Sequence, residues 1–332
     1  YKESIFGKIM NNKKKDKNEL IPVFIMGLFF IVIHSLAILV TSPFKAAGVE
    51  PAFEDISNPL NIVYIFAILI VFTVVVLLIS KFWKKQIIQI LILGAIGYTA
   101  AYVIYPLLSL IKPISYTYKI YVTSNSYIPI SIATILAITL AIMLVYILYK
   151  YPEWYIIDLT GVLIGAGAIA IFGMSLSVLL VIIFLMALAI YDAISVYKTK
   201  HMIDLADTVM DLKLPVLLVV PKIRNYSLIE ETKSLKKKIE HKEERDAFFM
   251  GLGNIVMHRI LVASVYNTIP NSLPISIGII IGTLVGFSIL MTFVMKGKPQ
   301  AGLPLLCGGA ILGYIISSLI FFGELKGLVI PF

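Results

Sequence analysis

The sequence predicts an all-α polytopic membrane protein with nine transmembrane helices, and three observations carry that prediction. Of its 332 residues 59% are hydrophobic and 14% charged, against about 45–50% and 25% in an ordinary soluble domain. The hydrophobic residues gather in blocks of about eighteen or more, the length a helix needs to span roughly 30 Å of hydrocarbon at about 1.5 Å per residue. Lysine and arginine collect at the ends of those blocks, so the formal charge of +9 follows from membrane topology and gives no reason to expect nucleic acid as a partner. The bilayer is the solvent. Membrane lipids are the expected surroundings, and the cell membrane is the expected location of this multi-pass chain.

The apolar blocks run over 21–41, 60–80, 86–108, 128–149, 155–173, 175–197, 247–268, 272–295 and 301–322. The fifth and sixth are divided only near Gly173-Met174-Ser175, but together they are too long for one crossing. Loop charge supports the division. Lys13-Lys14-Lys15, the Lys81, Lys84 and Lys85 cluster, Lys150, the segment 198–246 and the pair Lys296 and Lys298 alternate with connections poorer in positive charge. Connection 44–58 sets Glu50, Glu54 and Asp55 against Lys45, and 267–271 carries no charge. Nine spans keep that alternation in register, with the N-terminus cytoplasmic and the C-terminus outside. The first twenty residues are lysine-rich and lead into a full-length span, a pattern unlike a cleaved signal peptide.

Three parts follow from this reading: a six-span part over 1–197, a cytoplasmic insert over 198–246 and a three-span part over 247–332. In the insert, Met202, Leu205, Val209 and Leu212 recur at helical spacing with acids between them, as in an amphipathic helix continuing from span six. Lys213-Leu-Pro-Val-Leu-Leu-Val-Val-Pro221 is a β-branched and leucine run bounded by prolines. It is too short for a span and suits a strand before span seven. Residues 222–246 are charge-dense and poor in large apolar side chains, the composition of a flexible loop.

The lone Cys307 lies in an apolar block, which excludes disulfides and thiolate metal sites, and the four histidines show no metal-ligand spacing. No metal and no cofactor are expected. An ionisable group near the bilayer centre costs at least about 2.5–3.5 kcal/mol, so each one inside a span needs a reason. Asp192 lies about five residues before span six reaches the cytoplasm, roughly 8 Å deep by helix rise. A carboxyl in such surroundings is a candidate acid–base group, or a structural group that caps or bridges helices. Span seven opens Phe248-Phe249-Met250-Gly251-Leu252-Gly253-Asn254, and Asn254 stands about seven residues in from the same face, roughly 10 Å deep. Because spans six and seven run in opposite directions from the insert, Asp192 and Asn254 come to matching depth. Gly251 and Gly253 let another helix or an extended substrate approach the backbone, although glycine pairs also serve ordinary helix packing. His258 lies one turn beyond Asn254 on the same face, whereas Arg259, near mid-span, points elsewhere and must meet a water-filled cavity or a polar neighbour. His34 reads as a packed core histidine and Asp158, near the start of span five, as interfacial.

Tyr191-Asp192 in span six, Gly251-Leu252-Gly253 followed by a polar residue in span seven, and Leu303-Pro304 at the start of span nine together resemble the presenilin and signal peptide peptidase family of intramembrane aspartyl proteases. The resemblance covers nearly the whole chain and points to a prokaryotic, archaeal-type member. It implies an endopeptidase that hydrolyses peptide bonds within transmembrane helices of membrane-protein substrates, with Asp192 as one catalytic aspartate and position 254 as the other. It also implies that Tyr191, Gly251, Leu252, Gly253, Leu303 and Pro304 surround the substrate. The strand residues Leu214, Val216, Leu217, Leu218 and Val219 are implied to lie beside it. No accessory subunit is expected, and the chain acts alone or as a homo-oligomer.

Two departures from the family pattern matter. Position 254 is Asn where the family has Asp. Two carboxylates about 3 Å apart share one proton because both cannot ionise, and that pair activates water and protonates the scissile amide; an amide side chain does neither. The chain is therefore expected to be inactive as written, either as a substitution made to trap a substrate or stabilise the protein, or as a natural pseudoenzyme. The second departure is Ala301-Gly302-Leu303-Pro304, where the family has Pro-Ala-Leu-Pro, so only Leu303 and Pro304 carry over. A substrate helix must unwind to be cut, exposing backbone groups that cost several kcal/mol each unless paired. The 213–221 run is a candidate edge strand for that pairing, or a surface loop whose leucines dip into the interface. The rival readings are a channel or transporter lined by Asp192, His258 and Arg259, and a non-catalytic binder of transmembrane helices.

Overall fold

The computed structural model describes residues 2–82, 85–111, 117–123, 126–199, 217–223, 226–229, 247–295 and 300–328. Helices α1 (Lys2–Ala46), α2 (Leu60–Phe82) and α3 (Lys85–Ser109) are followed by a hairpin of β1 (Thr117–Thr123) and β2 (Ser126–Ser131). Helices α4 (Ile132–Lys150), α5 (Trp154–Ser175) and α6 (Val178–Ile194) come next. From the insert onward the order is β3 (Leu217–Pro221), β4 (Ala247–Gly251), α7 (Leu252–Val256), a 3-10 turn (Met257–Arg259), α8 (Ile260–Thr268), α9 (Leu273–Met295) and α10 (Leu303–Phe322). Leu214, Val216, the expected amphipathic helix over 202–212, and Lys296, Lys298 and Pro299 lie outside the described residues.

Among the described residues seven helices are long and apolar enough to cross a membrane: Ile21–Ala46, Gln89–Ser109, Ile132–Lys150, Trp154–Ser175, Val178–Lys198, Leu273–Met295 and Leu303–Phe322. The expected count was nine. Of α2, the stretch Leu60–Val71 meets the measure only as a shorter apolar helix. The expected span over 247–268 is not one helix, since its first five residues form β4 and a 3-10 turn divides the rest. The start expected for span four also moves. Residues 128–131 belong to β2, and α4 begins at Ile132 with the Ser131 side chain accepting the Thr134 amide as its N-cap. The β-branched and aromatic run Thr117-Tyr-Lys-Ile-Tyr-Val-Thr123 pairs antiparallel with Ser126–Ser131, Tyr118 opposite Ile130 and Ile120 opposite Ile128, as that composition favours.

The division between α5 and α6 falls where loop charge requires it. Leu176 and Ser177 are extended, and the polar groups this exposes are paired: Ser177 N donates to Ile56 O, and Ser264 Oγ donates to Leu176 O at 2.8 Å. At the end of α5, a Cβ on Gly173 would lie 2.3 Å from the Ala263 Cβ, so α8 passes directly against this break. With 61% of its apolar window buried, α5 is the most enclosed of the seven spans and forms the central column on which β3, α7 and α8 rest.

Tight packing also fixes α9 to α10. Gly278, Gly282 and Gly286 repeat every fourth residue along α9 and meet Gly313, Gly309 and Leu305 of α10; a Cβ on Gly282 would stand 2.2 Å from the Gly309 carbonyl oxygen. Lipid offers apolar surfaces no competing solvent, so helices in a bilayer associate through close van der Waals fit between small residues. The consequence for the site is positional, because α9 holds the amino end of α10 in one place. Gly282→Leu should separate this pair and lower stability by about 1–3 kcal/mol or more, read as a lower melting temperature in detergent, while Gly308→Ala, with open space around the added Cβ, should leave it unchanged.

Candidate active site

The site grows from the amino end of α10. The first amides of a helix have no partner within it and carry the positive end of its dipole, so they bind anionic oxygen. Pro304, near the start of α10, has no N–H to satisfy, and the amide of Leu303 before it is free to donate. Asp192 takes it: its Oδ2 accepts the Leu303 N–H at 3.0 Å. The carboxylate is 4% exposed, although it comes from a helix 111 residues earlier in the chain. Tyr191, its neighbour, is 68% exposed and lies on the outer face of α6.

Asn254 reaches the same place from the other side. A Cβ on Gly302 would lie 3.0 Å from Asn254 Nδ2 and 3.5 Å from its Cγ. Asp192 on the Leu303 amide and Asn254 against the Gly302 Cα therefore meet adjacent residues of one turn. A methyl group at 302 would press on the end of that side chain, which would have to give by a few tenths of an ångström. Leu303 is buried and Pro304 half-buried beside them.

The position of Asn254 is fixed through α7 and β4. Leu252 and Val256 sit over two notches in α5, with a Cβ on Gly161 placed 3.4 Å from Leu252 Cδ1 and one on Gly165 placed 3.0 Å from Val256 Cγ2. Gly251, at the end of β4, turns the strand into α7 with φ −59° and ψ 132°, and Gly253 is exposed. β4 pairs antiparallel with β3, Leu217 opposite Gly251 and Val219 opposite Phe249. Leu218 and Val219 are buried on this sheet.

Asp158 corrects the interfacial reading of that residue. It is 3% exposed, and its Oδ1 accepts the Val219 N–H at 2.8 Å. The acceptor on α5 holds the centre of β3 on the edge facing away from β4. In sequence the residue looked like an acid near a helix start; the strand that needs it lies 61 residues on. His258 and Arg259 are also buried, and the polar neighbour the sequence did not supply for Arg259 is His34 of α1, whose Nδ1 lies 3.0 Å from Arg259 Nε.

Residues 26–323 match the family described as signal-peptide peptidase, presenilin aspartyl protease. The chain belongs to that family. Two solved structures, each described as a presenilin family intramembrane aspartate protease, are similar to it. The one in space group C222 shares 31% identity over 91% of this chain and 99% of that chain, with a TM-score of 0.61. The one in space group P2 shares 32% over 89% and 96%, with a TM-score of 0.62. Comparison with curated proteins gave no significant match. As a presenilin-family protein, the chain is a multi-pass intramembrane aspartyl protease by descent.

In this presenilin-family site the β3–β4 sheet runs into α7 three residues before position 254, so its anchoring bears on the site. Asp158→Leu removes the acceptor of a buried amide and should cost about 1–3 kcal/mol, seen as faster hydrogen exchange at Val219, whereas Asp158→Asn keeps a carbonyl oxygen there and should keep the amide protected.

Proposed function

We propose that this chain is built as an intramembrane endopeptidase for the transmembrane helices of membrane proteins, with Asp192 and residue 254 as its dyad, and that Asn254 leaves it inactive. The observation that supports this most strongly is the convergence of both side chains on the Gly302–Leu303 turn. A dyad needs two carboxyl groups close enough to share a proton and hold a water between them. Asp192 is held by a main-chain donor, the Leu303 amide, that fixes its orientation. An Asp at 254 supplies the second carboxyl; the amide of Asn254 neither takes a proton from water nor gives one to a leaving amine.

In this reading the insert and site face the cytoplasm, the N-terminus is cytoplasmic and the C-terminus outside. α2 and the divided helix α7–α8 complete nine crossings of the cell membrane in the three parts 1–197, 198–246 and 247–332. A substrate helix unwinds beside the β3–β4 sheet and pairs with strand groups other than the Val219 amide, which Asp158 already holds, with Tyr191, Gly251, Gly253 and Pro304 near the cut. The chain works without accessory subunits, alone or as a homo-oligomer. With Asn254 in place the site retains substrate helices without cutting them, which makes the chain as written a non-catalytic binder.

Asn254→Asp should produce cleavage of a labelled transmembrane peptide in detergent or liposomes, and adding Asp192→Ala should reduce it by at least about a thousandfold. Absence of cleavage from every tested transmembrane peptide, with those peptides still retained, leaves the binder as the whole function.

A further inference from the structure

We infer that His258 and Arg259 are positioning residues that hold position 254 through a built-in helix break and tie it to α1. The inference rests on position 254 being the second member of the dyad. The break follows that position directly: α7 ends at Val256, and Ile260 N donates to Met257 O, three residues back, where an α-helix would use Val256 O. Neither proline nor glycine lies in Met257–Arg259 to explain it. What accompanies the break is a pair of side chains turned back on the carbonyls before it. His258 Nδ1 lies 3.0 Å from Asn254 O; a carbonyl only accepts, so this nitrogen carries the hydrogen. Arg259 Nη1 donates to Ile255 O. The main-chain carbonyls of residues 254 and 255 are thus both held from the next turn.

The same two side chains are clamped by α1. Arg259, Phe30 and His258 are each 0% exposed and His34 is 1% exposed. The guanidinium lies 4.4 Å over the Phe30 ring, a favourable cation–π placement. The His258 ring stacks on Phe30 at 5.6 Å with 19° between planes. His34 Nδ1 is within reach of both Arg259 Nε, at 3.0 Å, and Phe30 O, at 2.7 Å. One nitrogen either accepts from the guanidinium or donates to the carbonyl, so the Phe30 face and the Ile255 carbonyl are the contacts that hold in either tautomer. Among the described residues no carboxylate pairs with Arg259, and its Nη2 and both histidine Nε2 atoms have no partner. A buried charge so incompletely paired is a poor source of stability compared with a leucine of similar reach. What it supplies is direction, through donors aimed at two specified carbonyls beside position 254.

Two measurements test this, one of them independent of cleavage. In the Asn254→Asp protein, His258→Ala and Arg259→Leu should each lower kcat for a labelled transmembrane peptide by about tenfold or more with KM changed less than about twofold. His258→Asn, whose amide can still donate to the 254 carbonyl, should recover most of that loss. In the protein with Asn254 unaltered, amide hydrogen exchange over 252–260 should rise in His258→Ala and Arg259→Leu and return toward the parent in His258→Asn. Unchanged kcat and exchange in both variants would overturn the inference, as would His258→Asn losing as much as His258→Ala. If Asn254→Asp cleaves nothing, the protease reading fails, and the exchange measurement still decides whether these residues position 254.

Discussion

The carboxylate of Asp192 on the amino end of α10 is the contact on which the site depends. A charged oxygen within a span is tolerated only where donors replace the water it has lost, and the orphan amides of a helix start are the donors a membrane protein has ready. Because the amide that serves it belongs to Leu303, satisfying Asp192 also fixes where α6 meets α10. Asn254 lies against the same turn, its side chain beside the Cα of Gly302. Electrostatic satisfaction and close packing thus bring positions 192 and 254 to adjacent residues of one turn.

The rest of the fold keeps this contact in place by close backbone approach. α9 holds α10 through facing glycines, and α5 receives α7 and α8 through Gly161, Gly165 and Gly173. Such packing suits a bilayer, where apolar bulk is solvated by lipid on all sides and only close fit distinguishes one partner from another. The outward faces show the other half of this division: Ile68, Ile142 and Ile320 are 66%, 65% and 70% exposed, as side chains in contact with lipid should be. The strand pair is anchored differently, by the single carboxylate of Asp158 on the outer edge of β3.

Much of this was legible in the sequence because the bilayer imposes a length and an apolar character on each crossing. The break near Gly173, a strand ahead of span seven and the burial of Asp192 all followed from block length, proline boundaries and the cost of charge in hydrocarbon. Other features depend on partners far away in the chain. Asp158 looked interfacial because the amide it serves is 61 residues distant, and Arg259 had no visible partner because His34 is 225 residues away. The hairpin over 117–131 was hidden by its own hydrophobicity, since Ile128 to Ile130 read as the start of a span. The 3-10 turn at Met257–Arg259 has no glycine or proline to announce it, and only the side-chain donors of His258 and Arg259 explain why it is tolerated there.

The central claim is that positions 192 and 254 form one site. Cysteines placed at both positions, with Cys307 replaced by serine, test it in membranes without any assumption about substrate. A short bifunctional thiol reagent should link the two within a single chain and leave either single-cysteine protein unlinked. Two thiols that each react readily with a monofunctional reagent but never become linked would contradict it.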